Sequence, residues 1–149
     1  MNGVRFIAAS TACLVAACGS DPLPLSASGV TILAPLPGQQ VAVAYLSLDN
    51  HSVAPITLTR ITSPQFDNVA MHATIVDDGI AGMQSLDSIT IAENSRVDFD
   101  VGGRHLMLMS PRETLRAGDE VTLEFHYGES GVLQLNAKMQ SRGTGNGEL

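Results

Sequence analysis

The run VAVAYLSLDN, residues Val41 to Asn50, is the clearest β-strand in the chain. Its apolar residues recur at every second position, which places one set of side chains on a common face: Ala42, Ala44, Leu46 and Leu48. Asp49-Asn50 then signals a turn. We therefore predict a strand that packs one face on a core.

Shorter runs of the same kind flank this strand. They are Ile56 to Ile61, Val69 to Val76, Ser88 to Ile91, Arg96 to Val101, Arg104 to Ser110, Val121 to His126 and Val132 to Ala137. Turn signals such as Pro37-Gly38, Asp78-Gly79 and Gly102-Gly103 separate them. No window has the period of an amphipathic helix. The pattern predicts an all-β fold, a Greek-key sandwich or barrel, between residues 29 and 139.

Strand parity predicts a row of metal-binding side chains opposite the core. In Arg104 to Ser110 (RHLMLMS), Leu106 and Leu108 point into the core. His105 and Met107 then project from the other face, and Met109 joins them at the rim.

A second predicted strand contributes another histidine. In Val69 to Val76, Met71 faces the core and His72 faces outward. Met83 follows the Asp78-Gly79 turn, in the loop or strand that returns from it. We expect His72, Met83, His105 and Met107 to converge on one ion.

Two imidazoles and two thioethers suit Cu(I), whereas carboxylates and water suit harder ions. Only the histidines compete with protons for the metal. A methionine in a β-rich domain is usually core filler, and a single histidine is usually a hydrogen-bonded surface residue, which is our interpretation of His51 and His126. The four residues together predict a Cu(I) site.

The N-terminus predicts export. Phe6 to Ala17 is a short apolar run, too short to span a bilayer and typical of a secretory signal. It ends in LVAACG, which looks like a bacterial lipobox, so we predict a signal at 1–17 and lipidation of Cys18. The alternative is an ordinary cleaved signal beside a chance cysteine. Residues 18–28 are predicted as a tether and residues 140–149 as a flexible tail.

Composition limits the remaining function classes. The net charge of −7 and the absence of a basic stripe argue against nucleic-acid binding. Because the signal removes Cys13 and lipid modifies Cys18, no cysteine is left for a disulfide or for the thiolate of a blue-copper centre. Zinc-protease and nucleophile-elbow motifs are absent from the sequence, and four protein donors leave no open position for a substrate. We therefore expect a binding protein and not an enzyme.

The spacing of the four donors resembles the motif of the periplasmic copper chaperones called PCu(A)C. Ten residues separate His72 from Met83, twenty-one separate Met83 from His105, and one separates His105 from Met107. The resemblance covers roughly residues 30 to 138. It implies a cupredoxin-like β-sandwich that carries Cu(I) in the periplasm, where the lipobox predicts an anchor to the inner or outer membrane. It also implies delivery to a copper-accepting protein, either the copper domain of cytochrome c oxidase or another copper chaperone.

Some positions depart from that pattern. Ala73 stands where many relatives have an acidic residue, Ser110-Pro111 replaces a more usual Gly-Leu, and the tail has no histidine, which argues against a second, Cu(II) site. Two other functions stay open. One is a lipoprotein that sequesters copper for resistance, and the other is a metal-free lipoprotein sandwich that serves as an interaction module.

Overall fold

The computed structural model describes residues 23–142, which form ten strands and no helix. The strands are β1 (Leu25–Leu33), β2 (Val41–Asn50), β3 (Ile56–Thr62), β4 (Phe66–Asp77), β5 (Ile80–Leu86), β6 (Ile89–Ile91), β7 (Arg96–Phe99), β8 (Arg104–Pro111), β9 (Glu120–Tyr127) and β10 (Gly131–Gln140). The signal at 1–17 and Cys18 lie outside the described residues. Within those residues no helix has the length and hydropathy to cross a membrane.

Seven of the strands close into a barrel. The sheet order is β5-β4-β8-β2-β1-β10-β9-β3-β6, with β7 beside β2. One further pairing, between Ile61 of β3 and Val69 of β4, joins the two sides. Almost every pairing is antiparallel, but β1 and β10 run parallel where Ile32 meets Met139. The all-β, cupredoxin-like architecture is confirmed.

The core follows the predicted alternation. In β2 the four residues predicted to share a face are buried: Ala42, Ala44, Leu46 and Leu48. In β8, Leu106 and Leu108 are both 0% exposed. Because these side chains fill the interior, the alternate residues of β2 and β8 must point outward.

The domain begins earlier than the sequence predicted. β1 starts at Leu25, inside the segment 18–28 predicted as a tether. The Pro- and Ser-rich composition there is typical of a linker, but Leu25 is fully buried and pairs with Asn50 at the end of β2. This burial, which composition does not reveal, makes the predicted boundary at residue 29 wrong. At the other terminus, Gln140 belongs to β10 and not to the tail.

A buried amide secures the end of β2. The side-chain NH₂ group of Asn50, a residue only 2% exposed, donates to the carbonyl oxygens of Ala54, Ile91 and Ala92 at 2.8, 3.1 and 3.0 Å. Its Oδ1 accepts from the backbone N–H and the hydroxyl of Ser52. Asn50 therefore ties the end of β2 to the loop after it and to the end of β6, where the Ile91 carbonyl is buried.

Candidate metal site

Three neighbouring strands carry the four predicted ligands. β8 pairs with β4, and His72 lies directly opposite His105. Met107 is opposite Ala70, two residues before His72. β5 pairs with the other edge of β4, where Met83 is opposite Thr74, two residues after His72.

This register brings the four side chains to one face. Paired residues of antiparallel strands point the same way, and so do residues two apart on one strand. His72 therefore has His105 as its direct neighbour and Met107 and Met83 as diagonal neighbours. Diagonal Cα atoms are about 7–8 Å apart, a gap that a long methionine side chain can cross. The imidazole rings of His72 and His105 are stacked with centroids 5.9 Å apart.

His105 is held in a defined orientation. Its Nδ1 lies 3.3 Å from the carbonyl oxygen of Gly103. A carbonyl oxygen can only accept a hydrogen bond, so Nδ1 carries the proton and is the donor. Nε2 is then the unprotonated nitrogen that can bind a metal. The residue is 9% exposed, which is more buried than we expected for an open site.

His72 has a ring nitrogen that the protein leaves unsatisfied. Its Nδ1 is buried and finds no hydrogen-bond partner within residues 23–142. Such an atom normally costs free energy unless something binds it. Burial, and to a lesser extent repulsion from His105, lowers the pKa of His72 below its ordinary value of 6.5. The neutral imidazole that a metal requires is therefore favoured.

The two thioethers differ in exposure. Met107 is half-buried on β8, whereas Met83 is 64% exposed on β5, the edge strand of the sheet. Among the described residues, no group of three or more His, Cys, Asp or Glu side chains could hold a metal ion. The candidate site combines the two imidazoles with sulfur from methionine.

The other histidines and methionines lie elsewhere. Nε2 of His51 is 2.7 Å from the hydroxyl of Ser26, and Nε2 of His126 is 2.8 Å from the hydroxyl of Thr62. Both match the hydrogen-bonded role predicted for them. Met71 is buried in the core, as predicted, and Met109 lies on the outer face of β8 beyond Met107.

The sequence did not reveal the part played by Gly103. Its carbonyl oxygen accepts from the N–H of Thr74 at 3.0 Å as well as from His105, so one backbone atom links β4 to the imidazole of β8. A Cβ on Gly103 would collide with the carboxylate of Asp100. The Gly102-Gly103 pair before His105 was the available signal, but it indicated only a turn.

The chain is similar in sequence to known proteins. The family model described as LpqE-like matches residues 25–139. An uncharacterized protein, RP573 of Rickettsia prowazekii, is 33% identical over 96 residues, or 64% of this chain and 53% of that protein. The chain therefore spans about half the length of this curated relative.

Two solved structures have the same architecture. The copper-bound PCuAC domain from PmoF2 superimposes with a TM-score of 0.66 at 21% identity, covering 80% of this chain and 94% of that domain. The solution structure of Cu(I)-DR1885 from Deinococcus radiodurans gives 0.59 at 26% identity, covering 85% and 83%. The resemblance to PCuAC domains that the donor spacing predicted is confirmed.

Proposed function

Because the chain belongs to the LpqE-like family and its structural neighbours are PCuAC domains, we propose that it is a metallochaperone for Cu(I). It captures the ion on the outer face of β4, β5 and β8 and surrenders it to a partner protein. One observation carries this proposal. The rings of His72 and His105 are stacked with centroids 5.9 Å apart, and the buried Nδ1 of His72 has no hydrogen-bond partner among residues 23–142.

The donor set and the relatives together favour Cu(I) as the cargo. Imidazole and thioether are the ligands that this soft ion accepts. The structure of DR1885 contains Cu(I), and that of the PmoF2 domain contains copper. Four protein donors would complete the coordination sphere of a tetrahedral ion. This suits a carrier better than a catalyst, because no position is left for a substrate.

The unequal exposure of the ligands supports capture followed by transfer. His105 is buried and oriented, so it would hold the ion throughout. Met83 lies exposed on an edge strand, where an incoming thiolate or imidazole can replace it. Ligands would then be exchanged one at a time, with copper always coordinated.

We propose a periplasmic location with a lipid anchor at Cys18, on the inner or outer membrane. The LVAACG sequence supports this anchor. The recipient that best suits such a carrier is a copper-accepting protein, either the copper domain of cytochrome c oxidase or another copper chaperone.

The decisive experiment is a titration with Cu(I) under reducing, anaerobic conditions, in competition with a chromophoric Cu(I) chelator. One equivalent should bind to the wild type. The double variant His72→Ala, Met107→Ala should lose this binding and keep its circular dichroism spectrum. The matched control, His51→Ala with His126→Ala, should bind as the wild type does. Full affinity in the first double variant would contradict the proposed site.

Two alternatives give different results. A copper-sequestering lipoprotein would bind Cu(I) equally well but would not load an apo copper domain of cytochrome c oxidase. A metal-free interaction module would bind no Cu(I) at all. Transfer and titration therefore separate the three functions.

A further inference from the structure

One end of the barrel, named here the Leu25 end, is defined by strand direction. β1 begins there at Leu25, and its antiparallel neighbour β2 ends there at Asn50. β4 runs in the same direction as β2, because both pair antiparallel with β8, so the turn after Asp77 also lies at this end.

Exposed apolar side chains gather at the Leu25 end. Val53, in the loop after β2, is 88% exposed. Val76 and Ile80, on either side of the β4–β5 turn, are 69% and 75% exposed, and Leu23 before β1 is 60% exposed. Val76 pairs with Ala81 and Ile80 with Asp77, so Val76 and Ile80 project from opposite faces of the hairpin and share only its tip. Single exposed apolar residues are normal on a protein surface, but several at one end of a barrel indicate a contact surface.

The opposite end has a different character. The connection between β8 and β9 exposes charged side chains, among them Arg112, Glu113 and Arg116. Leu36, in the β1–β2 connection, is the one large apolar residue there that is exposed within residues 23–142, at 41%. The Leu25 end also exposes the carboxylates of Asp77, Asp78, Glu93 and Glu129, so the two ends differ in their exposed apolar side chains and not in the presence of charge.

The length of chain before β1 indicates what covers the Leu25 end. If Cys18 carries lipid, as in the proposed function, only six residues separate the anchor from Leu25. A fully extended chain rises about 3.3–3.6 Å per residue, so this end would lie within about 25 Å of the membrane surface. Because β1 starts at Leu25, the tether is shorter than the segment 18–28 predicted from the sequence.

We propose that the Leu25 end docks on the lipid surface, with Val53, Val76 and Ile80 inserted among the headgroups. The contact is apolar and not electrostatic, because Asp77 and Asp78 at the β4–β5 turn and a net charge of −7 would repel anionic lipids. We therefore expect insertion into zwitterionic membranes that added salt does not weaken. This inference depends on the proposed lipid anchor and not on the proposed copper chemistry.

Docking at this end would fix the height of the candidate metal site. His72 precedes Asp77 by five residues on β4, and a strand rises about 3.3 Å per residue, so the imidazoles would lie roughly 16 Å from the turn along the strand. The outer face of β4, β5 and β8 would then stand beside the membrane, open to a partner held in the same bilayer.

The test uses introduced tryptophans, because the chain has none of its own. Val53→Trp and Ile80→Trp place a fluorophore at the Leu25 end, and Leu36→Trp is the matched control at the opposite end. Each full-length lipidated protein is reconstituted in phosphatidylcholine–phosphatidylethanolamine vesicles whose acyl chains are brominated. We expect at least about twofold quenching and a blue shift at Val53 and Ile80 with little change at Leu36, because interfacial residues reach about 5–10 Å into the bilayer.

Three results would overturn the docking. The first is unquenched tryptophan at positions 53 and 80 in protein that floats with the vesicles, and the second is equal quenching at Leu36. The third is protein that does not float at all, which removes the anchor as well. Cu(I) titration of the same samples is scored separately, so loss of copper binding with quenching intact would reject the copper function and keep the docking.

Discussion

Two adjacent residues of β8 should respond to substitution in opposite ways. Leu106 is 0% exposed in the core, and Met107 is its outward neighbour in the candidate metal site. Leu106→Ala removes a fully buried side chain, which costs about 2–5 kcal/mol of the free energy of unfolding. Met107→Leu conserves volume at a half-buried position, so its cost should be below about 1.5 kcal/mol.

Copper affinity should show the reverse order. Met107→Leu removes one of four donors and should weaken Cu(I) binding at least about tenfold, or 1.4 kcal/mol. Leu106→Ala keeps all four donors, and its folded fraction should bind Cu(I) nearly as the wild type does. Met109→Leu, on the same outer face but outside the proposed ligand set, is the control and should change neither quantity.

Chemical denaturation measures the stabilities, and competition with a Cu(I) chelator measures the affinities. Copper should also raise the melting temperature of wild type more than that of Met107→Leu, because the stabilisation that a ligand gives to the folded state increases with the logarithm of its affinity. If Met107→Leu destabilised the protein as much as Leu106→Ala and left Cu(I) affinity intact, the assignment of the two faces of β8 would be wrong.

Three further outcomes are expected. Gly103→Ala should leave Cu(I) affinity, measured by chelator competition, close to that of the wild type, because the new methyl group meets only the end of the exposed Asp100 side chain, which can rotate away and leave the carbonyl that orients the imidazole in place. Asn50→Leu should lower the free energy of unfolding by about 1–3 kcal/mol without changing copper affinity, since it leaves buried carbonyls unpaired. Hydrogen bonding to Arg96 lowers the pKa of Asp49 below its ordinary 3.8, so this pair stabilises the protein above pH 3.8 and stops doing so as the pH falls through the lowered pKa. Asp49→Asn should therefore reduce the loss of stability at acid pH measured by denaturation. An unchanged dependence of stability on pH would contradict this.

Alternation was enough to predict much of this fold. The buried side chains of β2 and β8 could be predicted directly from the sequence. Side chains of a strand alternate between two faces, and the apolar face must be buried. The same parity separated Met71 from His72 on β4, and the structure agrees. It did not reveal the start of β1. Ser26, Ala27 and Ser28 lack the alternation of a strand, and their β conformation depends on pairing with β2.

The candidate site was predictable in its residues but not in its details. Spacing identified His72, Met83, His105 and Met107, and whether they share an ion is still a prediction. Pattern alone could not show that His72 faces His105 directly, because register depends on which strands become neighbours. Nor could it show that the Gly103 carbonyl selects the tautomer of His105, since this is a backbone contact that no residue type encodes.

The parallel contact between β1 and β10 has a kinetic consequence. One neighbour of β1, the first strand of the barrel, is β10, the last strand, and Ile32 pairs there with Met139. Such pairing across nearly the whole chain must overcome a large loop-closure entropy and is intrinsically slow. The barrel therefore cannot close until β10 is available, whereas β4, β5 and β8, which carry the candidate site, can pair with one another without it.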